Sequence, residues 1–207
     1  MPGFKVPEAT VERLSLYLRA LREIPDERIL SSYEFAKLVG TTDAQIRRDL
    51  FYFGKFGTPS QGYRVDKLKE EIIHILGLDR KRRLALVGVG KLGSALLGYP
   101  GLRKNEFQIK FAFDNDPEKI GKTVEGIIIQ DIEKIPELLL RHKVKIGIIT
   151  TPAEAAQDTT DKLIEGKVEG ILNFAPACCL VVPDKIKLKN VDLSILVETL
   201  SFLVSQP

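Results

Sequence analysis

The chain has 207 residues, of which 44% are hydrophobic, and this is enough for one large domain or two small ones with real cores. No run of about 18 apolar residues could span a bilayer, and residues 1–5 lack a signal-peptide pattern, so we expect a soluble, cytoplasmic protein. The net charge is only +3, but residues 1–83 hold 16 Lys or Arg against 12 Asp or Glu, which places the positive excess where a DNA partner would need it.

The first 53 residues carry the pattern of a helix-turn-helix. Pro7 precedes a helical pattern whose apolar positions share one face: Val11, Leu14, Leu18 and Leu21. Ser31 to Glu34 form a capping box that starts a short helix, and Gly40 ends it. Thr42 to Gln45 form a second capping box immediately afterwards. Two helices separated by a tight glycine turn are the layout of a DNA-binding helix-turn-helix.

The second helix of this pair is predicted to read DNA. Ile46, Leu50 and Phe53 share the face that would enter a small core. The outward side chains are of types that contact base edges and phosphates in a major groove: Gln45, Arg47, Arg48 and Tyr52. Which of them contacts which group stays open, as does the alternative that Arg47 and Arg48 are ordinary solvated cations.

Residues 54–65 are rich in Gly and Pro and interleave basic with aromatic side chains. This composition predicts a wing, a β-hairpin whose tip contacts DNA through Lys55, Tyr63 and Arg64. Asp66 is predicted to cap a further helix, which closes the small core and stops at Gly77. The charged segment 79–83 has no periodicity, so we place the domain boundary near Asp79 and expect a DNA-binding domain over 1–79.

A glycine-rich turn follows the next apolar run. Residues 84–87 are typical of a buried parallel strand, and the turn after them has the Gly-x-Gly-x-x-Gly spacing that binds a dinucleotide pyrophosphate: Gly88, Val89, Gly90, Lys91, Leu92 and Gly93. Gly88 permits the tight turn, Gly90 lets phosphate approach, and Gly93 lets helix and strand pack closely. A helix that begins at Lys91 would present its N-terminal N–H groups to the phosphates.

Asp114 stands about 20 residues beyond the last glycine, at the end of a strand-like run, where a ribose-binding acid is expected. Its carboxylate would accept hydrogen bonds from the adenosine ribose hydroxyls and repel a 2′-phosphate. We therefore expect NAD⁺ and NADH rather than NADP(H) as cofactors. The alternative, a turn residue at the end of a strand, remains open.

Strand-like runs at 84–87, 109–113, 127–129, 145–149 and 170–174 alternate with helical stretches. This alternation predicts an α/β fold, a Rossmann domain with a doubly wound parallel sheet over residues 80–191. Ligands bind at the carboxyl ends of such strands, so further cofactor contacts are expected at Thr150, Thr151, Pro152, Asn173 and Phe174. Ordinary loop turns explain these residues equally well. The adjacent Cys178 and Cys179 predict neither a structural disulfide nor a spaced metal site.

The last segment, 192–207, begins with a capping aspartate and is apolar around most of its circumference. A helix of this kind needs burial on several sides. Packing on its own sheet is one possibility. We favour insertion into a second subunit, because helix-turn-helix proteins commonly bind inverted repeats as two-fold dimers.

Over nearly its full length the chain resembles the Rex family of bacterial redox-sensing transcriptional repressors. The resemblance rests on residues 5–10, 17–19, 45–50 with 52–54, Gly62 and Tyr63, 88–93, 99–101, 113–117, 170–176 and 190–192. It implies a homodimer with winged-helix heads, Rossmann domains that bind NAD(H), exchanged C-terminal helices and control of fermentative genes. It also implies a polar switch that joins Arg19, Tyr99 and Asp192.

The expected function is therefore repression that senses the NADH/NAD⁺ ratio, with NADH binding releasing inverted-repeat operator DNA. NADH would have to bind the DNA-incompetent form more tightly. An NAD-dependent dehydrogenase with an accessory N-terminal domain is the alternative. It would need an acid or base near the nicotinamide, and the two histidines, His74 and His142, are poorly placed for that. A plain DNA-binding protein with a structural Rossmann domain is a third possibility. We expect no catalytic residues and no metal.

Overall fold

The computed structural model describes residues 6–54, 56, 62–104, 106–176 and 179–206. The chain divides into two compact units, of which the first ends at Arg80 and the second begins at Lys81. In the described residues no helix is both long and apolar enough to cross a membrane.

The first unit consists of helices and a small two-stranded sheet. Its elements are α1 (Glu8–Arg22), β1 (Ile29–Leu30), α2 (Ser32–Val39), α3 (Asp43–Phe51), β2 (Tyr63–Arg64) and α4 (Val65–Ile75). The capping box predicted at Ser31 is present, because Ser31 Oγ accepts from the backbone N–H of Glu34 and the Glu34 carboxylate accepts from Ser31. Gly40 ends α2 at a φ of 70°, a left-handed conformation that suits glycine.

The core of the first unit joins all four helices. Its members include Leu14, Tyr17, Phe35, Ile46 and Ile72, each at most 1% exposed. Val11, which shares the predicted apolar face of α1 with Leu14, Leu18 and Leu21, is 38% exposed. Tyr17 projects from α1 into this core, and its ring meets that of Phe35 edge to face.

The sequence interpretation was wrong about the start of α4. The helix begins at Val65 after Arg64, and Asp66 lies inside its first turn rather than at the cap. Burial of Val65, which is 0% exposed, accounts for the earlier start. The strand before it, Tyr63–Arg64, pairs antiparallel with Ile29–Leu30. Lys55 and residues 57–61, where the tip of the predicted wing falls, lie outside the described residues.

The second unit is a seven-stranded sheet with helices on both faces, as predicted. Its elements are β3 (Arg82–Val87), α5 (Lys91–Leu97), α6 (Pro100–Lys104), β4 (Phe107–Asp114), β5 (Thr123–Val124), β6 (Ile127–Asp131), α7 (Ile135–His142), β7 (Ile146–Ile149), α8 (Ala156–Glu165), β8 (Gly170–Asn173), β9 (Lys187–Asn190) and α9 (Leu193–Val204). The strand order is β5-β6-β4-β3-β7-β8-β9, and only β5 is antiparallel to its neighbour.

The sheet is doubly wound because its central strands bury both faces. Alternate residues of β3 enter different clusters: Ala85 and Val87 join one that includes α7 and α8, whereas Leu84 and Leu86 join one that includes Leu97 of α5. The edge strand β9 was not predicted. Its sequence, Lys-Leu-Lys-Asn, is polar and largely exposed, so it carries no apolar signal of a strand.

The last helix, α9, is exposed along its whole length in the part of the chain that the structure describes. None of its residues is buried, although its side chains are mostly apolar. The large apolar side chains are between 57% and 74% exposed: Leu193, Ile195, Leu196, Val197, Leu200, Phe202, Leu203 and Val204. The alternative in which α9 packs on its own sheet is therefore wrong for this structure.

Candidate nucleotide site and nucleic-acid interface

The glycine-rich turn after β3 is tight because two of its glycines leave no room for a side chain. Gly88 has a φ of +97°, and a Cβ there would lie 2.8 Å from the carbonyl carbon of Thr150. A Cβ on Gly93 would lie 2.0 Å from the carbonyl oxygen of Gly88. The first turn of α5 is thus pressed against the end of β3, as the spacing predicted.

Gly90 differs from these two glycines, because a Cβ there would meet no atom within 4 Å. It immediately precedes Lys91, the first residue of α5. Lys91 and Leu92 are exposed, whereas Val89 is buried. A bare backbone that faces open space at the start of a helix fits a pyrophosphate group, whose oxygens would approach N–H groups without steric hindrance.

Asp114 ends β4 and is bonded to the glycine-rich turn. Its Oδ2 accepts from the backbone N–H of Val89 at 2.7 Å and from Lys119 Nζ at 3.0 Å. Its Oδ1 accepts from the backbone N–H of Asp116 at 2.9 Å. Burial alone would raise the pKa of Asp114, but the hydrogen bonds from Asp116, Lys119 and Val89 outweigh it and lower the pKa. Asp114 is therefore an ionised carboxylate with acceptor capacity left on Oδ1.

Thr150 and Thr151 follow β7 beside the same turn. Thr150 Oγ1 donates to the carbonyl oxygen of Gly88 at 2.7 Å, so its hydroxyl hydrogen holds the turn. Thr151 Oγ1 is buried, and the described residues offer it no hydrogen-bond partner. An orphaned buried hydroxyl needs an explanation, and a bound polar ligand would supply one. Pro152 precedes a short 3₁₀ turn at Ala153–Ala155.

Asn173 is the last residue of β8 and Phe174 is the first residue of the loop after it. Asn173 Nδ2 donates to Asn190 Oδ1 at 2.9 Å and to the carbonyl oxygen of Ala175, while its Oδ1 accepts from the Ala175 N–H. Its amide is therefore engaged within the protein. Phe174 packs partly buried against the cluster on the α5 face. The bracing of β9 by Asn173 is a role that the sequence interpretation missed.

The predicted cofactor residues share one edge of the sheet. They lie at or just after the carboxyl ends of four strands, which are adjacent in the order β4-β3-β7-β8 and parallel to one another. The carboxyl ends of parallel strands form the usual ligand crevice of this fold. That these residues contact a cofactor stays a prediction. Their position at this edge of the sheet fits a bound dinucleotide.

The two arginines of α3 are in different situations. Arg47 forms an ion pair with Asp43 at 2.8 Å and donates to Ser32 Oγ at 2.9 Å. Arg48 is exposed and has no ion pair or hydrogen bond from its side chain to any described residue. Tyr52, at the end of the helix, is 37% exposed. Arg48 is thus the cation of α3 that is most available to a phosphate or a base.

Gln45 is half-buried, and its amide nitrogen is engaged within the protein. Its Nε2 donates to Asp49 Oδ1 at 2.9 Å, so the second capping box is only half formed. Thr42 still accepts from the Gln45 N–H, but Gln45 does not return a bond to Thr42 in the described structure. The physical reason is Asp49, a fully buried carboxylate one turn further along α3. A charged residue on the apolar face of α3 was the signal that could have revealed it.

The two predicted DNA contacts of the wing that the structure describes, Tyr63 and Arg64, are also engaged. Arg64 pairs with Asp66, through Nε to Oδ1 at 3.1 Å and through Nη2 to Oδ2 at 2.5 Å. Tyr63 packs partly buried against the core of the first unit, and burial raises its pKa. Contacts of either side chain with DNA remain predictions.

The residues of the predicted switch lie in both units. Arg19 is exposed on α1 in the first unit, whereas Tyr99, 54% exposed, and Asp192 belong to the second. Asp192 caps α9, because its Oδ1 accepts from the Ser194 N–H at 2.9 Å and from the Ser194 hydroxyl. These bonds lower the pKa of Asp192.

A helix-turn-helix unit followed by a Rossmann-type sheet with a glycine-rich turn defines a class of DNA-binding regulators with a nucleotide-binding domain. Residues 5–50 match the family described as putative DNA-binding protein N-terminus, and residues 79–177 match the family described as CoA binding domain.

Full-length relatives identify the family. The redox-sensing transcriptional repressor Rex of Carboxydothermus hydrogenoformans is 46% identical over 98% of both chains. The crystal structure of RSP in complex with β-NAD⁺ and operator DNA matches with a TM-score of 0.92 at 36% identity, over 97% of this chain and 93% of that one. RSP in complex with β-NADH matches with a TM-score of 0.86 at 34% identity, over 97% of this chain and 95% of that one. The chain belongs to the Rex family of redox-sensing transcriptional repressors, and the predicted family is confirmed.

Proposed function

We propose that this chain is a repressor that binds operator DNA through α3 and releases it when NADH occupies the turn at residues 88–93. The observation that carries the proposal is the bond from Val89 to Asp114, which joins a phosphate-accessible turn to a ribose-binding acid. The relative RSP supports the proposal for both nucleotides. One RSP structure contains β-NAD⁺ and operator DNA, and another contains β-NADH.

The chemistry at Asp114 favours NAD(H) over other ligands that contain ADP. One matched family is described as CoA binding, and CoA, like NADP(H), carries an additional phosphate on its adenosine ribose. An ionised, buried carboxylate accepts hydrogen bonds from free ribose hydroxyls and repels a phosphate attached to them. The proposed ligands are therefore NADH and NAD⁺.

Sensing requires that the two redox forms act differently on DNA binding. NAD⁺ carries a positive nicotinamide ring, which a desolvated pocket disfavours relative to neutral NADH. NADH must bind the DNA-incompetent form more tightly than the DNA-binding form. By linkage, bound DNA must then weaken the binding of NADH to the same extent, typically by about 1–3 kcal/mol.

The apolar surface of α9 supports a homodimer with exchanged terminal helices. Eight large apolar side chains are more than half exposed on this one helix, which water disfavours. We assign residues 1–79 to DNA binding, 80–191 to the nucleotide and 192–207 to dimerisation. The resemblance to the family adds a switch in which Arg19 pairs with Asp192 and Tyr99 competes for its carboxylate.

The test is a titration of a labelled inverted-repeat duplex, selected by this protein from a random pool, in the presence of NADH, NAD⁺, NADPH or CoA. NADH is expected to raise the apparent Kd for DNA at least fivefold, and NAD⁺ to leave it nearly unchanged. Equal responses to NADH and NAD⁺ would defeat the sensor function. Because the relatives are named repressors, we propose no catalytic activity. NADH consumption in the presence of carbonyl compounds would contradict this.

A further inference from the structure

Asp49 is an unusual residue for the face of a helix that packs into a core. It is 0% exposed and collects five hydrogen bonds from four side chains. Its Oδ1 accepts from Thr10 at 3.1 Å, Arg13 Nη2 at 2.6 Å and Gln45 at 2.9 Å. Its Oδ2 accepts from Arg13 Nε at 2.6 Å and from the Tyr17 hydroxyl at 2.8 Å.

These bonds keep Asp49 ionised and leave it no spare acceptor. Burial alone would raise its pKa, but the donors from Arg13, Tyr17, Gln45 and Thr10 outweigh it and lower the pKa. A carboxylate offers about four lone-pair sites, and five bonds fill them. Three of the four partners belong to α1, so the carboxylate holds α3 on α1 at the turn that carries Gln45.

The same carboxylate determines which way the amide of Gln45 faces. An ionised carboxylate accepts hydrogen bonds and cannot donate them, so the nitrogen end of the amide must point at Asp49. The oxygen end, Oε1, then points away from Asp49 and accepts no bond from the described residues. Gln45 lies in the first turn of α3, the part of a recognition helix that contacts base edges.

We propose that Asp49 positions Gln45 so that α3 presents a fixed hydrogen-bond acceptor, Oε1, to the major groove. As an acceptor, Oε1 selects a base whose groove edge carries an amino group, which is adenine or cytosine on the contacted strand. The second hydrogen of Nε2 is not used by Asp49 and can add a bond to adenine N7. Gln45 is then a specificity-determining residue and Asp49 its positioning residue. The inference rests on the proposed function, because it assumes that α3 enters DNA.

The deciding variant is Gln45→Lys. A lysine ammonium can still donate to Asp49, but it has no acceptor, so the amino-bearing base loses its partner. The parent protein and the variant are each used to select duplexes from a random pool, and the bound duplexes are sequenced. The parent is expected to enrich adenine or cytosine at one position of each half-site. In Gln45→Lys that preference inverts to guanine or thymine on the same strand, with about a tenfold change in relative enrichment.

Asp49→Asn tests the positioning role. It frees the Gln45 amide to rotate, so the preference is expected to flatten at that one position and to persist at the others, whereas a general structural defect would weaken all positions together. If Asp49→Asn is unfolded at the assay temperature, Gln45→Lys decides alone.

Gln157→Lys is the matched control, because Gln157 Nε2 also donates to an aspartate four residues later, Asp161, at 2.9 Å. It adds the same charge in the second unit and is expected to leave every preference unchanged. The proposal is overturned if Gln45→Lys enriches the same bases as the parent, if folded Asp49→Asn keeps the preference, or if Gln157→Lys inverts it as well. Failure of the proposed function has a different signature, because the parent would then enrich no sequence at all.

Discussion

The backbone N–H of Val89 donates to Oδ2 of Asp114 over 2.7 Å and joins the glycine-rich turn to the end of the neighbouring strand. Asp114 therefore helps to build the proposed nucleotide site before any ligand binds. The bond also places a negative charge beside the backbone of the turn, and Lys119 offsets it at 3.0 Å.

Asp114→Asn is expected to weaken NADH binding by roughly 10- to 100-fold, since hydrogen bonds to charged groups contribute about 1.5–3 kcal/mol. Discrimination against NADPH should fall as well, because the charge that repels the 2′-phosphate is gone. Titration calorimetry with both nucleotides measures these changes. Asp131→Asn is the control, since Asp131 is the register partner of Asp114 on β6. Unchanged affinity for NADH in Asp114→Asn would contradict the assigned role.

Two glycines of the turn should respond to alanine in opposite ways. Gly93→Ala places a Cβ 2.0 Å from the Gly88 carbonyl oxygen and is expected to destabilise the fold by about 1–3 kcal/mol. Gly90→Ala meets no atom within 4 Å and should keep its stability within about 0.5 kcal/mol while it weakens NADH binding. Chemical denaturation and NADH titration separate the two effects. Equal losses of stability would show that Gly90 is also a packing position.

Arg48 and Arg47 should contribute unequally to DNA binding. Arg47 is held by Asp43 and Ser32, whereas Arg48 has no side-chain partner among the described residues. Arg48→Ala is therefore expected to weaken binding of the selected operator by about 1–3 kcal/mol and Arg47→Ala by less. Fluorescence anisotropy at one fixed salt concentration measures both, because phosphate contacts depend on salt. A larger loss for Arg47→Ala would reverse the assignment.

Acid should destabilise the first unit through Asp49. Its pKa is lowered in the folded state, so its contribution is complete above the unfolded pKa of about 3.9 and is lost as the pH falls through the folded value. Asp49→Asn is expected to lose about 3 kcal/mol at neutral pH, because the Arg13 guanidinium loses its buried partner. It should also show a shallower loss of stability below about pH 4. Thermal melts across this range test it, and identical acid profiles would count against an ionised Asp49.

The exposed apolar face of α9 predicts that one charged substitution on it will dissociate the proposed dimer. Leu200 is 59% exposed in the isolated chain, and Leu200→Glu is expected to convert a dimer to monomers because a carboxylate would be buried at the interface. Light scattering after size-exclusion chromatography reports the mass. Leu140→Glu is the control, because Leu140 is 48% exposed on α7. If the parent is already monomeric, the proposed exchange of helices is wrong.

Features encoded by local spacing could be predicted from the sequence. The glycines at 88, 90 and 93 and the capping box at Ser31 depend on residues a few positions apart, and their geometry is as expected. The Asp49 cluster depends on Thr10, Arg13 and Tyr17, which are 32 to 39 residues away, so no local pattern contains it. The Gln45 capping bond was predicted wrongly for the same reason, because a distant helix determines the environment of Asp49.

The strand β9 was missed because its own residues carry no apolar alternation, and its place in the sheet depends on β8. Asn173 and Asn190 bond to each other across this pair, and their chain separation of 17 residues hides the contact from any periodic signal. Lys119 is close to Asp114 in sequence, but the ion pair between them depends on the shape of the turn and not on a repeating pattern.

The bond from the Val191 N–H to the Asn173 carbonyl oxygen, at 2.8 Å, leaves only Asp192 between the sheet and the first residue of α9. In this structure α9 leaves the edge of the sheet through this one residue, and none of the helix residues is buried. The direction of α9 is therefore set by the end of β9, close to the loop after β8. In the proposed dimer with exchanged helices, movement at that loop would reach the partner subunit through this single residue.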